Sequence, residues 1–250
     1  MNVTLNTVCG IEIMVRTLFL LVIAAMAVDS SAQELEFKSA ELPDGQKIEY
    51  GLLLPEGFEK DKEYPILLAL PPGQQNKDMV KAGIGLYWER GASEGWLVVS
   101  PAAPKGKFFS GDGAELLKQF MDVVGKDFKA EGGKYYVAGV SNGGRSAFSI
   151  AGRYPESFHA LIGIPGMVTG PDKKYLKKLK DLPMSLYAGA NDKSWVQPME
   201  KMVGDLKKLG AAEVTLEIVA GQGHVIRGWE DGKKLFTVLN LWRNKILQAD

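Results

Sequence analysis

The sequence predicts an α/β domain whose mostly parallel sheet is covered by helices on both faces. Seven short segments read as strands, most of them apolar enough to be buried on both sides. Amphipathic stretches with helical spacing fall between them. No internal repeat, low-complexity tract or linker divides the chain after its first 32 residues, so residues 33–250 read as one domain.

The elements follow in order. "KIEYGLLLP" (47–55) has a β-like pattern, and "YPILLALPP" (64–72), "GWLVVSP" (95–101) and "KYYVAGV" (134–140) are apolar runs closed by glycine or proline. "HALIGIPG" (159–166), "LPMSLYAG" (182–189) and "EVTLEIVAG" (213–221) complete the strands. In "DGAELLKQFMDVVGKDF", Leu116, Leu117, Phe120, Met121, Val123, Val124 and Phe128 form one helical stripe. "QPMEKMVGDLKKLG" (197–210) carries a second stripe, with Pro198 near its start and Gly210 as its expected C-terminal cap. "DGKKLFTVLNLWRNKIL" (231–247) repeats the pattern at the end of the chain.

Residues 1–32 read differently. Within "MVRTLFLLVIAAMAVDSSAQ" a basic Arg16 precedes an apolar run from Leu18 to Val28, followed by the small residues Ser30 and Ala32. This is the layout of a secretory signal peptide with cleavage expected after Ala32, and Met14 is a candidate start. The apolar run is short for a membrane span, although an uncleaved anchor is the alternative. Secretion or periplasmic export without stable membrane insertion is the expectation. The single cysteine, Cys9, lies in this leading stretch, so the mature chain would hold no disulfide, thiol nucleophile or thiolate metal site.

Across its 250 residues the chain is 46% hydrophobic and 24% charged, with a formal net charge of zero. That balance offers no basic field for nucleic acid. Two histidines and no cysteine in the mature chain make a poor metal-ligand set, and no cofactor is expected.

The chemistry-bearing motif is "YYVAGVSNGGRSAFSI" (135–150), in which Gly139-Val140-Ser141-Asn142-Gly143 joins a strand to a helix. In parallel sheets, sites form beyond the carboxyl ends of the strands, where Ser141 falls. A turn this tight needs glycine on both sides, and a glycine-rich turn with an incidental serine is the competing reading. The Asn142 N–H, at the start of the helix, is placed to donate to an oxyanion. A serine hydroxyl also needs a base. His159 opens a strand, where packing is expected. His224, in "VAGQGHVIRGW", follows the last strand in a glycine-flanked loop and can reach over the sheet edge. Asp192, in "LYAGANDKSW", follows the preceding strand and can orient that imidazole, with an Asx turn as its competing role and Asp172 as the reserve acid.

The elbow "GVSNGGRSAF", the acid loop "GANDKSW" and the histidine loop "GQGHVI", in this order, resemble the α/β-hydrolase superfamily. Within it, the small secreted phospholipase/carboxylesterase-like and polyhydroxybutyrate-depolymerase-like esterases are the closest in pattern. The resemblance spans residues 35–247. It implies ester hydrolysis through an acyl-serine, with Ser141 as nucleophile, His224 as base and Asp192 as orienting acid. Such esterases carry a His-Gly pair after the strand preceding the first helix, whereas this chain reads "LALPPGQQN". Pro71 and Pro72 have no N–H to give, so the second oxyanion donor is expected from Gly73 or, by position, Gln74.

The connection "MVTGPDKKYLKKLKDL" is too short and polar for a lid domain, which favours an open cleft for small or polysaccharide-linked acyl esters such as acetyl or feruloyl groups. Its lysines read as a solvated helix face. Trp195 and Trp229 are candidate substrate-stacking residues, with core packing the competing role for any one of these aromatics, and Trp88 and Phe108 lie in or near connections expected on the same side. A serine peptidase on the same scaffold and a non-catalytic binding module are the alternative readings.

Overall fold

The structure is a computed structural model that describes residues 35–105 and 107–248; the expected signal segment lies outside them. Eight strands form the main sheet: β1 (Glu36–Glu41), β2 (Lys47–Leu53), β3 (Ile66–Leu70), β4 (Leu97–Pro101), β5 (Tyr135–Gly139), β6 (Phe158–Gly163), β7 (Met184–Gly189) and β8 (Val214–Val219). Their order is β1-β2-β4-β3-β5-β6-β7-β8. Only β2 runs antiparallel, to both of its neighbours; every other pairing in the sheet is parallel.

The central strands explain themselves by composition. All five side chains of β3, "ILLAL", are fully buried, because both faces of the sheet are covered. Ile66, Leu68 and Leu70 enter one core, while Leu67 and Ala69 enter the other. This is the two-residue side-chain period of a strand dividing a double core. The first core is closed by helices α2 (Gly113–Asp127), α3 (Asn142–Arg153) and α4 (Lys193–Lys208). The second is closed by α1 (Lys77–Gly83) and α5 (Lys233–Leu247), with Trp88 and Trp96 buried in it and Trp96 packed on Phe236 of α5. Residues from Leu35 onward form one compact unit.

All seven expected strands are present, most with trimmed ends. The eighth, β1, was not anticipated: "EFKSAE" is a half-exposed edge strand, and its charges hide the β pattern. Helix α1 was also missed. Its seven residues are too few for a stripe, but Asn76 caps it, accepting from the Met79 N–H at 3.1 Å. Helix α4 begins at Lys193, four residues earlier than the apolar stripe, so Pro198 lies inside the helix and forfeits one backbone bond there. It ends as expected. Gly210 is left-handed at φ 93°, its N–H reaches the Lys207 carbonyl, and that of Ala211 reaches Leu206, both at 3.0 Å.

Between β6 and β7 the chain makes one 3₁₀ helix, Gly170–Leu179, and no inserted domain. Among the described residues no helix is long and apolar enough to cross a membrane.

Candidate active site

Ser141 sits between the end of β5 and α3, with φ 58° and ψ −114°. A non-glycine residue at positive φ is strained by roughly 1–3 kcal/mol, so the surroundings must hold it there. They do so with backbone. The Ser141 N–H donates to the carbonyls of Ile164 and Pro165 at 3.3 and 3.1 Å, and its carbonyl accepts from the Arg145 N–H at 3.1 Å. The flanking glycines are steric necessities. A Cβ at Gly139 would stand 2.1 Å from the Gly143 carbonyl oxygen, and one at Gly143 would stand 2.0 Å from that of Leu70. The serine is therefore lifted out of the strand line because helix and sheet meet backbone to backbone beneath it.

The two other loops bring their side chains to this hydroxyl. His224 Nε2 lies 2.8 Å from Ser141 Oγ, and His224 Nδ1 lies 2.6 Å from Asp192 Oδ2. The acid and histidine loops are fastened together. Asn191 N–H donates to the Gln222 carbonyl at 2.8 Å, and Ala190 N–H to that of Val219 at 2.9 Å. A Cβ at Gly189 would strike the Gly223 oxygen at 2.0 Å, so this approach also requires glycine. Asp192 stands at the N-terminus of α4 yet caps nothing; its second oxygen accepts from Ser194 Oγ at 2.8 Å. With both carboxylate oxygens engaged, the imidazole is held with one nitrogen toward the acid and the other toward the serine.

The backbone N–H groups of Asn142 and Gln74 make no hydrogen bond among the described residues. A side chain ties their two loops together: Asn142 Nδ2 donates to the Gly73 carbonyl at 2.8 Å. In a trans peptide the C=O and N–H point in opposite directions, so fixing the Gly73 oxygen also fixes the direction of the Gln74 N–H. Asn142 Oδ1 in turn accepts from Arg145 at 3.0 Å, and that guanidinium lies 4.5 Å from the Trp195 ring centre. Behind this loop, Gln75 is fully buried in a left-handed conformation at φ 56°. Its Oε1 accepts from the Phe109 N–H at 3.0 Å and Ser146 Oγ at 3.1 Å, and its carbonyl accepts from the Ala103 N–H at 2.7 Å. Gln75 thus anchors the loop to both α3 and the segment after β4. Neither Gln75 nor Arg145 was foreseen. The spacing of Asn142 and Arg145, three residues apart on one helix, was the available signal for the second.

The aromatic expectations need correction. Trp229 is 1% exposed and packs on Tyr187 with ring centres 4.4 Å apart, so it belongs to the core. Trp88 is likewise fully buried. Trp195 is 7% exposed and stands 5.6 Å from the His224 ring, a wall behind the imidazole with no open face for a substrate. A flat, apolar ring in a loop gave no clue to which side it would turn. Phe108 alone of the four is substantially exposed, at 42%.

His159 contacts the Glu131 carbonyl at 3.0 Å and lies against Tyr136, the packing role expected of it. Asp172 is buried and committed elsewhere: it holds Arg153 at 2.9 Å, Ser149 Oγ at 2.6 Å and the Gly111 N–H at 3.0 Å. The reserve acid is therefore a structural anchor. Lys173, Lys174, Lys177 and Lys178 are exposed on the 3₁₀ helix. Among the described residues no three histidine, cysteine, aspartate or glutamate side chains group so as to hold a metal ion.

The strand order, the elbow after β5 and the loops after β7 and β8 define the α/β-hydrolase fold. Solved structures agree. The chain is similar to a thermostable esterase, with TM-score 0.65 and 19% identity over 86% of this chain and 62% of that one. It is similar to a ferulic acid esterase, with TM-score 0.62 and 16% identity over 84% and 97% of the two chains. It is also similar to dipeptidyl peptidase 4 of Porphyromonas gingivalis, with TM-score 0.63 and 12% identity over 85% of this chain and 35% of that one. It thus spans less than two thirds of the thermostable esterase and about a third of the peptidase. Comparison with protein-family models and with curated proteins gives no match.

Proposed function

We propose that this protein is a serine esterase that hydrolyses carboxylic esters through an acyl-serine intermediate. One observation carries the reading: a single imidazole lies 2.8 Å from a serine hydroxyl and 2.6 Å from a carboxylate, on a strained elbow that presents the hydroxyl.

The chemistry follows from that arrangement. Ser141 Oγ attacks the ester carbonyl carbon while His224 Nε2 takes the hydroxyl proton. Asp192 holds the resulting imidazolium by its Nδ1 proton. The carbonyl oxygen becomes negative and accepts from the Asn142 and Gln74 N–H groups, which are already oriented before charge develops. The tetrahedral adduct collapses, the carbon–oxygen bond to the alcohol breaks, and His224 returns the proton to the departing oxygen. Water then attacks the acyl-serine with His224 again as base. The acid leaves and Ser141 regains its proton.

An open site supports small or polysaccharide-linked acyl esters as substrates. The His224 side chain is 45% exposed, and no domain is inserted after β6. The fold likeness to a ferulic acid esterase points the same way. The likeness to dipeptidyl peptidase 4 favours peptide cleavage as the second reading, since the same triad attacks amides. The leader motif of residues 14–33 supports an exported enzyme, which N-terminal sequencing of the mature chain would test: a terminus at Gln33 is expected.

The test uses purified protein, short-chain 4-nitrophenyl esters and a dipeptide nitroanilide. Ester turnover is expected, together with Ser141→Ala losing at least about a thousandfold in kcat. Release of nitroaniline without ester turnover would favour the peptidase.

A further inference from the structure

Beside the loop that carries Gln74 lies an open cleft of ≈ 690 Å³, bounded by Gln74, Asn76 and Lys77 on one side and by residues 102–105, 107 and 108 on the other. That volume suits a ligand of one or two rings and far exceeds an acetyl group. Gln74 lines this cleft and, in the mechanism proposed above, offers its N–H to the reacting carbonyl, so a group that fills the cleft would lie beside the bound ester.

The cleft is built. Its two walls are joined by buried Gln75, which binds the Phe109 N–H through its side chain and the Ala103 N–H through its carbonyl. Phe108, next to that anchor, offers a half-open ring on the rim.

Its charge is lopsided. Lys47, Lys77, Lys105 and Lys107 line it against a single carboxylate, Glu49. Two of the lysines are answered: Lys77 by Glu49 at 2.6 Å and Lys47 by Glu41 at 3.7 Å. Lys105 and Lys107 have no carboxylate partner among the described residues, in a chain whose formal net charge is zero. Two unanswered ammonium groups beside an exposed aromatic ring match a ring that bears a carboxylate. The aromatic face stacks on the ring, and the lysines take the anion.

We infer that this cleft selects esters carrying a carboxylate-bearing ring, either an acidic sugar or an aromatic acid. The inference rests on the esterase reading, and its test separates the two. Each anionic ester is paired with a neutral counterpart: 4-acetoxybenzoate with its methyl ester, and mono-4-nitrophenyl terephthalate with its methyl ester. The first pair places the carboxylate on the alcohol side, the second on the acyl side. In at least one pair the anionic member is expected to have a kcat/KM about tenfold higher, the scale of two exposed charge pairs. The preference shrinks as salt rises, because exposed charges are screened. Lys105→Glu combined with Lys107→Glu reverses it, and Lys107→Gln alone weakens it. The pair that responds tells which side of the ester occupies the cleft.

Neutral-ester turnover with no anionic preference in either pair overturns this inference and leaves the esterase reading standing. A preference that survives the double charge reversal overturns it as well. No turnover of any ester removes both.

Discussion

At the scale of single residues, Asn142 does two things with one side chain and one backbone group. Its N–H is one oxyanion donor of the proposed mechanism, and its side-chain amide holds the Gly73–Gln74 peptide that would supply the other. Asn142→Leu keeps the backbone donor and loses the orientation of Gln74, together with the Oδ1 contact to Arg145. The expected result is a fall in kcat of about 10- to 100-fold with KM little changed, because a mis-aimed donor is missed chiefly in the transition state. Asn142→Asp should do the same even though it strengthens the contact with Arg145, since a carboxylate has no N–H for the Gly73 oxygen. Steady-state kinetics on the two variants checks this, and an effect confined to KM would contradict it. Asp192→Asn belongs to the same scale: loss of the Nδ1 acceptor should reduce kcat by about ten-thousandfold while fold and midpoint of unfolding hold. The meeting of Ser141, His224 and Asp192 was legible because serine, aspartate and histidine occur in a recognisable chain order, each after a strand. Gln75 was not, because its role depends on burial between two segments, which residue type does not reveal.

The elements matter here through their close approaches. Helix α3 starts against the end of β3, with Gly143 set on the Leu70 carbonyl. Gly143→Ala forces backbone apart, and a loss of roughly 3 kcal/mol or more is expected. Chemical denaturation measures it, and a near-neutral result would mean that the elbow is looser than drawn. Strand and helix cores were readable wherever an element is long and buried: β3 through β7 from continuous apolar runs, α2 from its stripe. The misses fall where tertiary contacts decide the outcome. Strand β1 pairs residue by residue with β2 despite its charges, and α1 is too short for periodicity to register. The start of α4 was placed late because Pro198 looks like a first-turn residue, while the helix opens at Lys193 behind Asp192.

For the whole molecule, the sheet order and its one antiparallel strand were beyond the sequence pattern, which gives elements without their neighbours. What holds the layers together is equally hidden. Asp172, on the connection after β6, binds Arg153 and Ser149 of α3 and the backbone ahead of α2, so one carboxylate joins three segments on the same face. Asp172→Asn leaves the Arg153 charge half-buried with one partner weakened. A loss of about 3–5 kcal/mol is expected, with the catalytic rate per folded molecule unchanged. Thermal unfolding paired with active-site titration checks both halves; loss of rate in a fully folded variant would return Asp172 to the list of candidate acids. Its distance from the serine in chain order could not exclude it, whereas its three bonds do.

The most direct measurement is mass spectrometry of a reaction with 4-nitrophenyl acetate, quenched in acid within the first turnover and digested. One acetyl group is expected on the peptide containing Ser141, absent from the Ser141→Ala protein and much reduced in His224→Ala. Ester turnover with no acyl adduct on that peptide, or with the adduct on another side chain, would contradict the account.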